Sequence, residues 1–175
     1  MNKSIRIVAM TAVAAGALSF AGSANAAASA SASANAEILS TITVVKDQDL
    51  DFGRIAVNGA GNLTVSADES SPAACPATLV CQGARVPAKF TISGTSGAGA
   101  GASVREASIN LTSGANSMLL DGFSVYFPSG NTLALPTPTS TYGEAGFNVG
   151  GTLHVGAAQA AGVYAGTFNV DVDYN

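Results

Sequence analysis

Tyr164-Ala165-Gly166-Thr167-Phe168-Asn169-Val170-Asp171-Val172-Asp173-Tyr174 is the stretch whose period decides the fold. In an extended chain Tyr164, Gly166, Phe168, Val170, Val172 and Tyr174 fall on one side. Ala165, Thr167, Asn169, Asp171 and Asp173 fall on the other. A period of two is that of a strand with one face on a core and one in water. Aspartates on the wet face also discourage unwanted pairing at an edge.

The same period recurs upstream. Phe123, Val125 and Phe127 alternate with Ser124 and Tyr126, and Pro128 stops the run because it cannot extend a ladder. Phe90 and Ile92 alternate with Lys89 and Thr91. Leu63 and Val65 follow the Asn58-Gly59-Ala60-Gly61 turn, and Leu153 and Val155 follow Gly150-Gly151. Ile38 through Val45 is apolar on both faces and predicts a buried strand. Gly94–Ser103, rich in Gly, Ser and Ala, reads as a loop. Ala157–Ala161 is the one helix-like patch; it is too short to stand, with Gly156 and Gly162 on either side. Turn signals every 8–15 residues or roughly so predict an all-β, antiparallel β-sandwich.

The N-terminus reads differently. Lys3 and Arg6, an apolar run from Ile7 to Gly22, and Ala24-Asn25-Ala26 make the three parts of a cleavable secretory signal peptide over residues 1–26. Thr11, Gly16 and Ser19 interrupt the apolar run, which argues against a membrane span. No later segment reads as transmembrane. The chain of 175 residues minus 26 leaves 149, enough for one domain with a full core. Residues 38–175 are read as that domain. Residues 27–37 are read as a flexible Ala/Ser arm, with alanine at every even position from Ala28 to Ala36 and serine at 29, 31 and 33. In an extended chain the alanines all face one way, so the arm is also a candidate strand for another sheet.

After the signal there are five basic residues, Lys46, Arg54, Arg85, Lys89 and Arg105, against eleven acidic ones, so 5 − 11 gives a net charge of −6. No basic stripe is present to neutralise phosphates, and nucleic acid is excluded as an expected partner. Cys75 and Cys81 are the only cysteines. In an exported chain they read as one disulfide closing a small loop.

Chemistry-bearing constellations are sparse, and no enzyme activity and no cofactor are expected. His154 is the single histidine. Leu153 and Val155 face the other way, which puts it on a solvated strand face. Asp47, Asp49 and Asp51 share a strand face and have the ligand type for calcium. Counting from Asp47, the sixth and twelfth positions hold Phe52 and Asn58, not the Gly and Glu of a calcium loop. A charged outer face is the preferred reading, and no metal site is expected.

Two segments carry a family resemblance. One is Ile42–Ile55, with Lys46 and Asp49-Leu50-Asp51-Phe52-Gly53. The other runs from Gly150-Gly151-Thr152-Leu153 through Gly162, Tyr164, Gly166-Thr167-Phe168, Val170, Val172 and Tyr174. Together they resemble the domain-of-unknown-function family 4402, small exported bacterial proteins. That family is similar to chaperone–usher pilus (fimbrial) subunits, whose last strand ends with a penultimate tyrosine and carries a glycine fourteen residues from the end, here Tyr174 and Gly162.

The resemblance implies an immunoglobulin-like β-sandwich completed by a strand donated in trans. Gly162, Tyr164, Phe168, Val170, Val172 and Tyr174 would form the assembly and chaperone-pairing strand. Ala28, Ala30, Ala32, Ala34, Ile38, Ile42 and Val44 would be the candidate donor arm, although Ile38, Ile42 and Val44 also suit the domain's own first strand. The implied function is a structural subunit of a surface fibre, with a role in adhesion. Its implied partners are other copies or related subunits, a periplasmic chaperone and an outer-membrane usher. Its implied route runs through the periplasm to the cell surface. The alternative is a monomeric, secreted or periplasmic β-sandwich binding module.

Overall fold

The computed structural model describes residues 28–69, 74–134 and 142–175. The signal-peptide reading of residues 1–26 and the arm's first residue, Ala27, lie outside the described residues. The chain divides into two units, Met1–Ala36 and Glu37–Asn175. In the first, residues 28–36 form neither helix nor strand.

The second unit is all-β and antiparallel, with no helix among its described residues. Its strands are β1 (Thr43–Gln48), β2 (Arg54–Val57), β3 (Gly61–Val65), β4 (Leu79–Gln82), β5 (Ala88–Thr95), β6 (Ala100–Val104), β7 (Ser108–Ser113), β8 (Asn116–Tyr126), β9 (Tyr142–Val155) and β10 (Val170–Tyr174). The main sheet runs β1-β5-β9-β8-β7, and β3 also pairs with β9. β9 is its axis. β5 lies along the first part of one edge, β3 continues that edge, and β8 takes the other edge. Two short sheets, β10-β6 and β2-β4, complete the sandwich.

The apolar face of each strand goes where its period sends it. Phe147, Val149, Leu153 and Val155 of β9 are buried, as are Phe90 and Ile92 of β5 and Leu63 and Val65 of β3. They form two clusters. The first joins Phe52, Leu63, Val65, Leu79, Met118, Leu120, Leu153 and Val155. The second joins Phe90, Ile92, Leu133, Phe147 and Val149 with three alanines. Phe90 stacks on Phe147 with ring centroids 5.0 Å apart. Such offset ring pairs stabilise beyond the area they bury.

The Asp49–Gly53 motif has a local explanation. Phe52 fills the first cluster. The Gly53 N–H donates to Asp51 Oδ1 at 2.7 Å. Gly53 has φ of 71°, and a Cβ there would lie 2.6 Å from the Gln82 carbonyl oxygen. Glycine alone suits both the left-handed backbone and that approach. The turn carries the chain from β1 to β2.

Two sequence expectations are corrected. Ile38–Val45 is not a buried strand: β1 starts at Thr43, and Val45 is 56 % exposed. β1 is an edge strand of the main sheet, with no strand paired beyond it among the described residues, and apolar alternation alone does not distinguish an edge from a centre. Gly94–Ser103 is not a single loop. It holds the end of β5 and most of β6. Its small residues are required by packing: a Cβ on Gly94 would lie 2.3 Å from Tyr174 Oη, and one on Gly101 would lie 2.7 Å from Asn175 Oδ1.

The disulfide is present, joining Cys75 and Cys81 with their Cα atoms 5.9 Å apart. Cys81 lies on β4 and packs against the first cluster, and the bond closes the loop that leads into β4.

Candidate functional site: a groove beside the last strand

In the immunoglobulin arrangement one sheet takes the first, second, fifth and fourth strands, and the other takes the third, sixth and seventh. This chain has the first sheet as β1-β5-β9-β8. β6 and the segment ending in β10 stand for the third and sixth strands, whereas β7, which follows β6, pairs with β8 in the main sheet. No strand stands in the seventh position among the described residues.

A groove of about 1130 Å³ opens there. One flank is Leu50–Val57, leading through the motif turn into β2. The other is Gln159–Phe168. Its floor is apolar: Met118, Leu120, Leu153 and Val155 of the first core cluster, with Ile109 and Leu111 of β7. The Gln159–Phe168 flank is tied to β7 by paired bonds between Ala165 and Thr112, at 2.8 and 3.1 Å. On its groove side no strand pairs with it among the described residues. The groove therefore offers unpaired backbone above an apolar floor.

The expected pairing strand over Tyr164–Tyr174 is corrected: only Val170–Tyr174 forms a strand, and Tyr164–Asn169 makes a single bridge, from Ala165 to Thr112. Phe168, Val170, Val172 and Tyr174 pack on the second core cluster, which they roof. Phe168 lies 5.1 Å from Phe123, ring centre to ring centre. Gly162 and Tyr164 line the groove, as does Phe168. A Cβ on Gly162 would lie 2.4 Å from Ser113 Oγ, so glycine lets the chain press onto the end of β7. Tyr164 is held over Ala160 and Gln159 by its hydroxyl, which donates to the Ala160 carbonyl at 2.8 Å and accepts from Gln159 Nε2 at 2.7 Å.

The strand is also pinned by charge where β6 passes into β7. Arg105 pairs with Asp171, and its guanidinium holds that carboxyl below the usual range. Glu106 accepts the Asn169 N–H at 2.8 Å and Asn169 Nδ2 at 2.7 Å, which lowers its carboxyl too. Neither residue stands out in the sequence, because each partner lies more than sixty positions away.

The candidate donor residues separate. Val44 sits in β1 opposite Ile92, so it belongs to the domain's own sheet. Ile42 packs against the second cluster. Ile38 is 95 % exposed, and Ala28, Ala30, Ala32 and Ala34 are exposed.

The remaining polar candidates are locally engaged. Asp47 accepts from Thr91 Oγ1 at 2.8 Å, and Asp49 pairs with Lys46 at 2.6 Å. His154 Nε2 lies 2.7 Å from Asp121 Oδ1 on the outer face of the main sheet.

The fold and the groove together define an antiparallel β-sandwich with an apolar-floored groove along the Gln159–Phe168 flank, on whose groove side no strand pairs among the described residues. Residues 42–174 match the family described as a domain of unknown function, DUF4402, and the chain belongs to that family. No curated protein and no solved structure is a significant match to it.

Proposed function

We propose that this protein is an exported structural subunit of a surface fibre, assembled head to tail by donated strands. One observation carries the reading: the groove between Leu50–Val57 and Gln159–Phe168, where no strand pairs with the second flank among the described residues. At about 1130 Å³ it exceeds the usual pocket for a small ligand. Its length and unpaired flank suit an extended peptide, which would supply main-chain bonds to the edge and side chains to the floor. An open apolar edge left unfilled invites aggregation. Donation from one subunit to the next fills it and builds an open chain rather than a closed ring.

On this reading the donor is the segment before β1, residues 27–38, because Val44 is committed to its own sheet. Related subunits of the same kind, a periplasmic chaperone and an outer-membrane usher are the expected partners, and adhesion the expected setting. Electrophoresis without boiling tests it. The intact protein should give detergent-resistant ladders, and deletion of residues 27–37, which leaves β1 whole, should abolish them. A folded monomer in both cases would overturn the fibre and favour a binding module.

A further inference from the structure

The hydroxyl of Tyr174 joins the last strand to the root of the N-terminal arm. It accepts the Thr95 N–H at 2.8 Å and donates to the Ser40 carbonyl at 2.9 Å. Ser40 in turn donates its N–H to Thr95 Oγ1 at 2.8 Å, and its hydroxyl lies 3.0 Å from the same atom. Every polar group of Ser40 is thus engaged, three bonds with Thr95 and Tyr174 in all. The contact has a prepared seat, because only glycine at position 94 leaves room for the Tyr174 oxygen.

The direction of the chain at this point matters. Thr43 pairs with Ser93 at the start of the β1–β5 ladder, and before it the Ser40 N–H bonds the Thr95 side chain at the end of β5. The groove begins toward the far end of β1, at Lys46, and its second flank stops at Phe168, 174 − 168 or six residues short of Tyr174. To enter its own groove, the arm would have to reverse near Ser40. Glu37-Ile38-Leu39-Ser40-Thr41-Ile42 has no Gly, Pro, Asn or Asp to make a tight reversal, and Ser40 is already bonded.

We propose that Tyr174 is a latch that fixes the root of the arm at Ser40 and so directs the arm to a second copy instead of the chain's own groove. The proposal rests on the donor-strand reading for the arm's destination, but not for the latch itself. Docking of β10 thereby readies the arm, since the latch exists only when Tyr174 is seated. Tyr174 acts here as a positioning residue.

Hydrogen exchange on the purified protein tests the latch. Tyr174→Phe should speed exchange at the Ser40 amide about tenfold, the effect of losing one hydrogen-bonded anchor, and leave the Phe147 and Val149 amides unchanged. The Ser40 amide is diagnostic because it bonds Thr95 and not Tyr174. An unchanged Ser40 rate would overturn the latch. Should Tyr174→Phe loosen the whole domain, Gly94→Ala supplies the second test. It displaces the same hydroxyl, so Gly94→Ala combined with Tyr174→Phe should exchange at Ser40 no faster than Gly94→Ala alone. Additive effects would overturn the latch.

The aiming role is read separately from the ladders. With Tyr174→Phe the multimer share should fall several-fold in favour of monomer. Full ladders with a loosened Ser40 would overturn it. Absence of ladders in the unaltered protein would defeat the donor-strand reading and the aim together, while the exchange rates still judge the latch.

Discussion

Gly150 lies directly against the backbone of Val65: a Cβ added at 150 would be 2.3 Å from the Val65 carbonyl oxygen and 2.4 Å from the Ala67 nitrogen. The end of β3 crosses β9 at this point, and both atoms belong to the main chain. Neither can swing aside as a side chain would. Gly150→Ala should therefore cost about 3 kcal/mol or more, at the upper end of overpacking effects. Gly146→Ala, on the same strand, meets nothing nearer than 3.8 Å and should be tolerated. Denaturant midpoints of the two variants check the contrast.

Acid should loosen the last strand selectively. Glu106 is lowered chiefly by the Asn169 backbone N–H, and Asp171 chiefly by the Arg105 hydrogen bond. A carboxyl lowered by folding adds stability above its unfolded value, about 4, and that stability is lost as pH falls through the lower folded value. The expected outcome is a stability that holds at neutral pH and declines below about pH 4. Glu106→Gln and Asp171→Asn should flatten that decline, measured as thermal midpoint against pH. Identical profiles for variants and parent would count against the pinning.

The Cys75–Cys81 bond closes a short loop, with a sequence separation of 6. Closure entropy for so small a loop gives about 2 kcal/mol. Replacing both cysteines with serine should lower the unfolding free energy by that amount, read from the denaturant midpoint and slope, and leave β9 exchange protection intact. A much larger loss would mean that β4 cannot pair with β2 without the bond.

A charge on the groove floor should separate folding from assembly. Leu111 is only partly buried while the groove is open. Leu111→Lys should cost the isolated subunit little, since the long side chain can reach water. A strand seated above it would trap the ammonium, which is strongly unfavourable. Near-normal melting with loss of ladders is the expected pair of results. Retained ladders would show that the floor at Leu111 takes no part.

Much of this fold was legible in the sequence, because strand period is a local property. The last strand, Phe123–Phe127 and Leu63–Val65 declared their inward faces, and the cysteine pair declared its bond. Gly94–Ser103 misled because Gly94 and Gly101 answer to Tyr174 and Asn175, more than seventy residues away. Val44 and Val45 misled because β1 has a neighbour on one edge alone, and composition does not count neighbours. The groove could not be read at all. It is made by segments from Leu50, Ile109, Leu153 and Gln159 onward, and only the topology brings them to one place.

The seat of Ser40 has a mechanical consequence. Tension arriving through residues before Ser40 meets Thr95 and Tyr174 first, then the β1–β5 ladder, which is loaded lengthwise when the pull runs along β1. Bonds loaded lengthwise share the force and must fail together, whereas bonds peeled from one end fail in turn. A fibre whose every joint leads into such a shear-loaded strand would resist stretching far better than the modest equilibrium worth of those bonds suggests, since forced rupture follows the unfolding rate and not the free energy.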